Sequence, residues 1–357
     1  MRVAVAGAGA FGRNHLRVYR ELESAGHGVA LVAAIEPDPG RAADTASHFA
    51  IPVYPSVEEL LSADLRLDAA SVAVPTVHHH SVASALLEAG LDLLVEKPLA
   101  ASLDEADDMV ARAAAGGRIL QPGHLERFNP AVLAIEPRLR RPMFFEAHRL
   151  SIFTPRSLDV DVVLDLMIHD LDIVLTFAHS PVREVRAVGL PILSPKVDIA
   201  NVRVEFESGC VANFTASRVS TERVRKLRFF EPRQYVSIDY ARRELLVIRL
   251  DSGTPGSLSP EIAAILAAGK ADPAALAHLA SGGHPSPGLS FVKPEVSPGE
   301  PLRLEIESFL DAVRTRREPR VTARQGRVAL ALALEIQSSM VAHAHRAGLG
   351  NFFEADA

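Results

Sequence analysis

Up to Gln121 the chain alternates two kinds of apolar pattern. Short continuous runs fall at Arg2 to Ala6, Val29 to Ile35, Ala69 to Val74, Leu91 to Val95 and Arg118 to Leu120. Each has the length of a strand buried on both faces. Between them, the stretch holding Leu16, Val18, Tyr19 and Leu22, then Arg41 to Phe49, His79 to Glu88 and Asp104 to Ala115, carry apolar residues at helical spacing. Strand and helix alternating in this way demand a parallel sheet with right-handed crossovers. The first domain is expected to cover 1–121.

From Pro142 the texture changes. Longer alternating runs follow at Asp198 to Glu207, Cys210 to Ser217, Val224 to Phe230, Tyr235 to Asp239 and Glu244 to Leu250, joined by turn signals such as Glu207-Ser-Gly209. Consecutive alternating strands with short turns make an antiparallel sheet with one face covered, so a second, α+β domain is expected over 122–322. Alternation puts Val202, Val204 and Phe206 on one face and Arg203, Glu205 and Glu207 on the other. One of these faces is expected to meet another subunit, giving a homo-oligomer, a dimer or a tetramer. Seven glycines and seven prolines between Asp251 and Glu300 predict an irregular excursion with little core. A lid, a subunit contact and a passive insertion all fit it. Helical spacing returns at Leu302 to Val313 and Gly326 to His345, the second expected to pack back across the first domain.

Composition narrows the class. The 357 residues are 48% hydrophobic, enough for two cores. A formal charge of -6 argues against general nucleic-acid binding. The single cysteine, Cys210, excludes an intramolecular disulfide and fits a reducing cytoplasm. No run approaches the roughly 18 apolar residues of a membrane helix, and Met1 leads directly into a strand pattern, so a protein without membrane association is expected.

Three stretches carry candidate chemistry. Gly7-Ala-Gly-Ala-Phe-Gly12 follows the first strand and opens the first helix, the setting in which G-x-G-x-x-G binds a dinucleotide. Gly7 makes the tight turn, Gly9 lets a pyrophosphate approach, and Gly12 lets the helix pack on the strand. Glu36 ends the second strand, where a carboxylate accepts from ribose hydroxyls and repels a 2′-phosphate. NAD is therefore expected rather than NADP, although Arg41 nearby would suit NADP. At the end of the Asp92-Leu-Leu-Val-Glu-Lys-Pro98 strand sits Lys97, at the sheet edge where ligands bind in open α/β sheets. Only five of the 38 Lys and Arg residues are lysines, which sets Lys97 apart from a general surface charge; a solvated lysine in a turn is the plain alternative.

The third stretch is a helix expected over Val163 to Phe177. Asp165, His169 and Asp172 lie at i, i+4 and i+7 and share a face among Leu, Ile, Val and Met. A metal site, an acid/base histidine oriented by a carboxylate, and a solvated helix face all fit that spacing; nothing supplies an obvious partner ligand for a metal. His78-His79-His80 cannot all face one ion, because successive helical side chains point about 100° apart, and they are expected to start a helix at the cofactor crevice.

Gly7-x-Gly-x-x-Gly12 with His15, Pro75-Thr76 with His79, Glu96-Lys97-Pro98 and Asp165-x-x-x-His169, in this order, resemble the Gfo/Idh/MocA family of NAD(P)-dependent sugar oxidoreductases over essentially the whole chain. The resemblance implies an α/β Rossmann domain plus an α+β domain with an open, mostly antiparallel sheet. It implies that Lys97, Asp165 and His169 are catalytic; for want of a partner ligand, no metal is expected. Gly7, Gly9, Ala10, Phe11, Gly12, Glu36, Pro75, Thr76, His79, Glu96 and Lys97 are the candidate cofactor-binding residues. The glycine pair usual in the family before Asp-x-x-x-His is replaced here by Val160 to Leu164.

Gly123-His-Leu-Glu-Arg-Phe-Asn-Pro130, Asp165 to Asp172 and Thr215-Ala-Ser-Arg-Val219 are similar to the branch of that family that oxidises the 3-hydroxyl of UDP-N-acetylglucosamine before transamination. A nucleotide-sugar substrate is thereby implied, with Arg127, Asn129, Arg149, Asp172 and Arg218 as candidate binding residues. Arginine forks suit a diphosphate, and Arg156, Arg223, Arg225, Lys226 and Arg228 add to the cluster; for any single one of them, a place on the solvent face of a strand is the plainer reading. His169 is then expected to act as the base, Asp165 to fix its tautomer, and Lys97 to polarise the hydroxyl, in a cleft between the domains. A relative acting on a free polyol, a sugar acid or a different nucleotide sugar, and a non-catalytic NAD-binding sensor, are the alternatives; the presence of both Lys97 and His169 argues against the sensor.

Overall fold

The computed structural model describes residues 1–154, 160–250 and 289–350. They form two compact units: Met1–Phe128 with Gly299–Leu334, and Asn129–Pro298 with Glu335–Ala357.

The first unit is built on β1 (Arg2–Ala6), α1 (Ala10–Ser24), β2 (Ala30–Ile35), α2 (Pro39–Phe49), β3 (Val53–Tyr54), α3 (Val57–Ser62), β4 (Ala69–Val72), α4 (His79–Glu88), β5 (Asp92–Glu96), α5 (Leu103–Ala115) and β6 (Leu120–Gly123). The strands pair in the order β3-β2-β1-β4-β5-β6, all parallel. Strand order reverses between β1 and β4, and ligands of such sheets bind at that point, beyond the carboxyl ends. Local signals start the helices. Asp38, Ser56 and Ser102 each accept a hydrogen bond from the backbone N–H three residues on, opening α2, α3 and α5.

The second unit contributes α6 (Pro130–Ile135), β7 (Phe144–Leu150), a π-helical turn (Val163–Met167) continuing into α7 (Ile168–Ala178), then β8 (Val182–Leu190), β9 (Ile199–Phe206), β10 (Val211–Ser217), β11 (Val224–Glu231), β12 (Gln234–Asp239), β13 (Glu244–Leu250) and β14 (Leu289–Val292). Its sheet runs β14-β13-β12-β11-β7-β10-β9-β8 and is antiparallel except for the β7–β10 pair. Ala200, Val202, Val204 and Phe206 are buried while Asn201 and Arg203 are exposed, so the alternation expected for β9 holds.

Two helices follow, α8 (Pro301–Thr315) and α9 (Ala323–Arg346), and the division between units falls within α9. The expected boundaries shift. The first unit extends to Phe128 rather than Gln121 and takes in α8, because Leu302, Ile306, Phe309, Leu310 and Val313 join Leu16, Tyr19, Leu22 and Val3 in one core. Gly326, inside α9, is explained by packing: a Cβ there would stand 2.5 Å from the Pro122 ring.

Other differences have local causes. The strand expected at Arg118 to Leu120 is β6, shifted to Leu120–Gly123; Pro122 is tolerated because β6 is an edge strand. β3 and α3 are two and six residues long, below the length at which periodicity is visible. Most of the glycine- and proline-rich excursion, together with Arg156, lies outside the described residues, but its end forms β14, paired with β13. No helix among the described residues is long and apolar enough to cross a membrane.

Candidate functional site

A cavity of about 690 Å³ opens in the first unit at the carboxyl ends of its strands. Gly7, Gly9, Ala10 and Phe11 line it from the loop after β1, Glu36 and Arg41 from beyond β2, and Val74 and Pro75 from beyond β4. The backbone dictates the glycines. Gly7 has φ +91°, and a Cβ there would lie 2.6 Å from the Ala73 carbonyl oxygen. A Cβ on Gly12 would lie 1.9 Å from the Gly7 carbonyl oxygen, so α1 can pack this closely only without one. At Gly9 a Cβ would meet nothing within 4 Å, which leaves room for a ligand to approach the backbone at the start of α1.

Glu36 is only 4% exposed, yet it remains a carboxylate. Burial alone would raise its pKa; bonds from Arg41 Nη2 (2.9 Å), Asp38 N (3.0 Å) and Ala8 N (3.0 Å) reverse that and lower it. The Ala8 bond ties the glycine loop to the end of β2. Arg41, the feature that would have suited NADP, spends its charge on Glu36. Ser56, Val57 and Glu58 at the start of α3, and His78, Ser81 and Val82 around the start of α4, also line the cavity. Nothing in the pattern marked Ser56, Val57 and Glu58 as site residues, since α3 itself is too short to recognise; His78 falls where a helix start at the cofactor crevice was expected.

The remaining candidates of this unit are placed differently. Thr76 and His79 do not line the cavity. His79 is buried, with Nδ1 2.9 Å from the Pro98 carbonyl oxygen and Nε2 3.0 Å from that of Val74. Burial lowers its pKa, against the pull of those two carbonyls and of the Glu96 charge. Glu96 ends β5, its Oε1 2.9 Å from Nε2 of the fully buried His15 and its Oε2 3.3 Å from the Lys97 backbone nitrogen. The Lys97–Pro98 peptide is cis. Arg127 lies buried in a 3₁₀ turn, Leu125–Phe128.

In the second unit the Asp165–His169 segment begins with the π turn instead of the regular helix expected over Val163 to Phe177. The π turn falls where the family's glycine pair is replaced, and the wider turn alters the simple i, i+4 face. Asp165 and His169 are half-buried; Asp172 is buried. Asp161 caps the turn, its Oδ1 accepting from Val163 N (2.9 Å) and Leu164 N (3.0 Å) while Oδ2 accepts from Gln337 Nε2 (2.6 Å).

The arginines expected to offer open forks to a diphosphate are engaged inside this unit. Arg149 forms a bidentate pair with Asp170, at 2.7 and 3.1 Å, both side chains buried. Arg218 donates Nε to Asp198 Oδ1 (2.6 Å), Nη2 to Ser194 Oγ (3.0 Å) and Nη1 to the Val160 carbonyl (2.8 Å). Asn129 accepts from Ala131 N at the start of α6 and donates to the Tyr240 carbonyl. Lys226 and Arg228, on β11, lie near Asp239 and Glu146, each at 3.9 Å. Among the described residues no group of three or more His, Cys, Asp or Glu is placed to hold a metal ion.

Comparison with known proteins agrees with this architecture. Residues 1–124 match the model of an oxidoreductase family with an NAD-binding Rossmann fold, and residues 131–233 match the Gfo/Idh/MocA C-terminal domain. UDP-N-acetylglucosamine 3-dehydrogenase of Acidithiobacillus ferrooxidans is 31% identical over 97% of this chain and 99% of its own length. A solved structure of that enzyme superposes with a TM-score of 0.81 over 96% of this chain and 98% of that one. An inositol 2-dehydrogenase of Acidothermus cellulolyticus is 32% identical, over 53% of this chain and 56% of its own. Levoglucosan dehydrogenase in complex with NADH, at 17% identity, shares the fold with a TM-score of 0.78 over 96% of this chain and 97% of its own. The glycine cradle, the carboxylate at the end of β2 and these matches lead to one conclusion: the chain belongs to the Gfo/Idh/MocA family and is an oxidoreductase with an NAD-binding Rossmann domain.

Proposed function

We propose that the protein oxidises the 3-hydroxyl of UDP-N-acetylglucosamine with NAD, giving a 3-keto nucleotide sugar for a later transamination. The observation that carries this reading is the match to a UDP-N-acetylglucosamine 3-dehydrogenase along nearly the full length of both chains. An inositol dehydrogenase matches about half of this chain, which makes a free polyol the second reading.

NAD bound at the glycine cradle would supply the hydride acceptor. Gly7, Gly9, Ala10, Phe11 and Pro75 would hold it, and the buried Glu36 carboxylate, with Arg41 neutralised beside it, disfavours a 2′-phosphate. A secondary alcohol gives up hydride only as its proton leaves, so a base and a donor for the developing oxyanion are required. His169 takes the hydroxyl proton, Asp165 fixes the imidazole, and Lys97 polarises the oxygen. Arg127, Asn129, Arg149, Asp172 and Arg218 shape the sugar-binding side; Asn129, Arg149 and Arg218 act through the backbone and carboxylates they hold.

The test is the growth of reduced-cofactor absorbance when NAD meets UDP-N-acetylglucosamine, free N-acetylglucosamine or an inositol. Turnover of the nucleotide sugar alone is the expected result; turnover of an inositol and not the nucleotide sugar replaces this reading with the second. Assembly is part of the proposal. Phe144, Phe230 and Tyr235 form a half-buried aromatic row across β7, β11 and β12, with ring centroids 5.5 and 5.2 Å apart, suited to a second copy. Light scattering should give a dimer or tetramer, and a monomer at micromolar concentration overturns it.

A further inference from the structure

Glu96, Lys97 and Pro98 are consecutive, and the two outer residues are each fastened by a buried histidine from a different helix. His15, on α1, is fully buried and bonds the Glu96 carboxylate at 2.9 Å. Its other ring nitrogen, Nδ1, is buried with no hydrogen-bond partner among the described residues. The Glu96 bond is thus the one that fixes the ring, and a carboxylate only accepts, so Nε2 carries the proton. The neighbouring strand leaves space for this arrangement: Gly123 pairs with Glu96 across β5 and β6, and a Cβ there would stand 2.8 Å from Glu96 Oε1.

His79, at the first position of α4, holds the other end. Its ring bridges the Pro98 carbonyl (2.9 Å) and the Val74 carbonyl (3.0 Å) while only 1% exposed. Val74 lines the cofactor cavity, whereas Pro98 directly follows Lys97. One imidazole therefore lies between the cavity wall beyond β4 and the turn beyond β5. Carbonyl oxygens only accept, and a neutral imidazole donates once, so the neutral ring can make only one of these bonds as a donor. The bond to Pro98 is the one that bears on Lys97.

We propose that His79 and His15 are positioning residues, clamping the Glu96–Lys97–Pro98 turn at its backbone and its carboxylate so that Lys97 is presented in one place. The proposal rests on the reading that Lys97 serves the proton transfer, and the two can be tested separately. Asn superposes its amide nitrogen on Nδ1 of histidine and Gln superposes its own on Nε2. His79→Asn keeps a donor for Pro98, His79→Gln keeps one only for Val74, and His79→Leu keeps neither. For His15 the retaining variant is His15→Gln and the disrupting one is His15→Leu.

Two readouts on the full-length protein decide it. The first is steady-state turnover of UDP-N-acetylglucosamine, with NAD affinity measured independently. Misplacing a catalytic group by about 1 Å can cost about 10²-fold, so His79→Leu and His79→Gln should lose that much in kcat with NAD affinity within about threefold of wild type, while His79→Asn recovers most of it. The second needs no turnover. Reductive methylation with ¹³C-formaldehyde labels the five lysines, and the Lys97 resonance, identified by its loss in Lys97→Met, should shift in His79→Leu, His79→Gln and His15→Leu but hold its place in His79→Asn and His15→Gln.

If Asn and Gln at 79 behave alike in both readouts, or the Lys97 resonance ignores every histidine substitution, the clamp is overturned. Should His79→Leu fail to fold, the Asn and Gln pair still decides. Normal turnover in Lys97→Met would instead overturn the catalytic reading of Lys97, leaving the resonance shifts to judge the clamp by themselves.

Discussion

Asp198→Asn should cost the second unit about 3 to 5 kcal/mol of stability, the range for removing one partner of a buried ion pair. Asp198 is fully buried. Its Oδ2 accepts from the backbone nitrogens of Ile192 (2.8 Å), Leu193 (2.6 Å) and Ser194 (2.9 Å), and its Oδ1 from Ser194 Oγ (2.7 Å) and Arg218 Nε (2.6 Å). Asparagine has one acceptor oxygen, so at least one side of this hub meets an amide NH₂. Arg218, 5% exposed, then loses the carboxylate that stood 2.6 Å from its Nε. A surface pair would cost no more than about 1 kcal/mol, so the two cases are well separated. Because Arg218 also holds the Val160 carbonyl just ahead of the Asp161 cap, kcat should fall as well.

The same hub gives a pH dependence of definite sign. Burial would raise the Asp198 pKa, but the Ser194 hydroxyl, Arg218 and the backbone donors hold it far below the ordinary 3.8. A carboxylate with a depressed folded-state pKa contributes stability that is present above its unfolded pKa and lost as pH falls towards the folded value. The wild type should therefore lose stability below about pH 4 along a component that Asp198→Asn lacks. Urea unfolding must be followed by circular dichroism, since the chain has no tryptophan. The cycle with Arg218→Met should show coupling of several kcal/mol, because the two substitutions remove the two halves of one buried pair. A loss below about 1 kcal/mol, or equal losses at pH 3 and pH 7, would refute the reasoning.

Three further outcomes are expected. Lys97→Met and His169→Gln should each lower turnover by about 10² to 10⁴ with NAD affinity little changed, and the double mutant should be no worse than the poorer single; normal turnover in either, measured in single-turnover experiments, sinks the mechanism. Glu36→Ala should weaken NAD binding by about 1.5 to 3 kcal/mol, the scale of hydrogen bonds to a charged group, and should free Arg41 for a 2′-phosphate, so that titrations with both cofactors show a narrowed preference; a native preference for NADP contradicts the assignment. Burial pushes the Cys210 thiol up to about 11, so a thiol reagent at pH 8 should label the folded protein far more slowly than the urea-unfolded chain.

The first unit was largely legible because its signals are local. Gly7, Gly9 and Gly12 fall within six residues; Gly7 and Gly12 answer to backbone constraints that a spacing rule can express, and Gly9 leaves room for a ligand. The parallel pairing of the strands follows from the same alternation. What pattern could not show was α8, Pro301–Thr315, joining the core of the first unit: its apolar face is evident in sequence, but an amphipathic stripe does not name the surface it covers. β3 and α3 escaped for want of length, and with them went the Ser56–Glu58 wall of the cavity.

Legibility failed differently for the polar residues. Arg149 and Arg218 were noticed correctly as unusual, but a guanidinium in a sequence carries no sign of whether an anion from outside or a carboxylate of the same chain will satisfy it. Here the partners are Asp170, 21 residues away, and Asp198, 20 residues away. His15 and Glu96 are 81 apart, and His79 and Pro98 are 19 apart. The physical rule is general: a buried charge or imidazole must be paired, which makes pairing predictable and the partner not. For His79 the motif pointed to the right neighbourhood, and the ring there lies between two backbone carbonyls, of the cavity wall and of the lysine turn, only one of which it can serve as a neutral donor. A motif histidine can thus matter to a bound cofactor without touching it, and the cost of replacing it should fall on kcat through Lys97 before it falls on cofactor affinity.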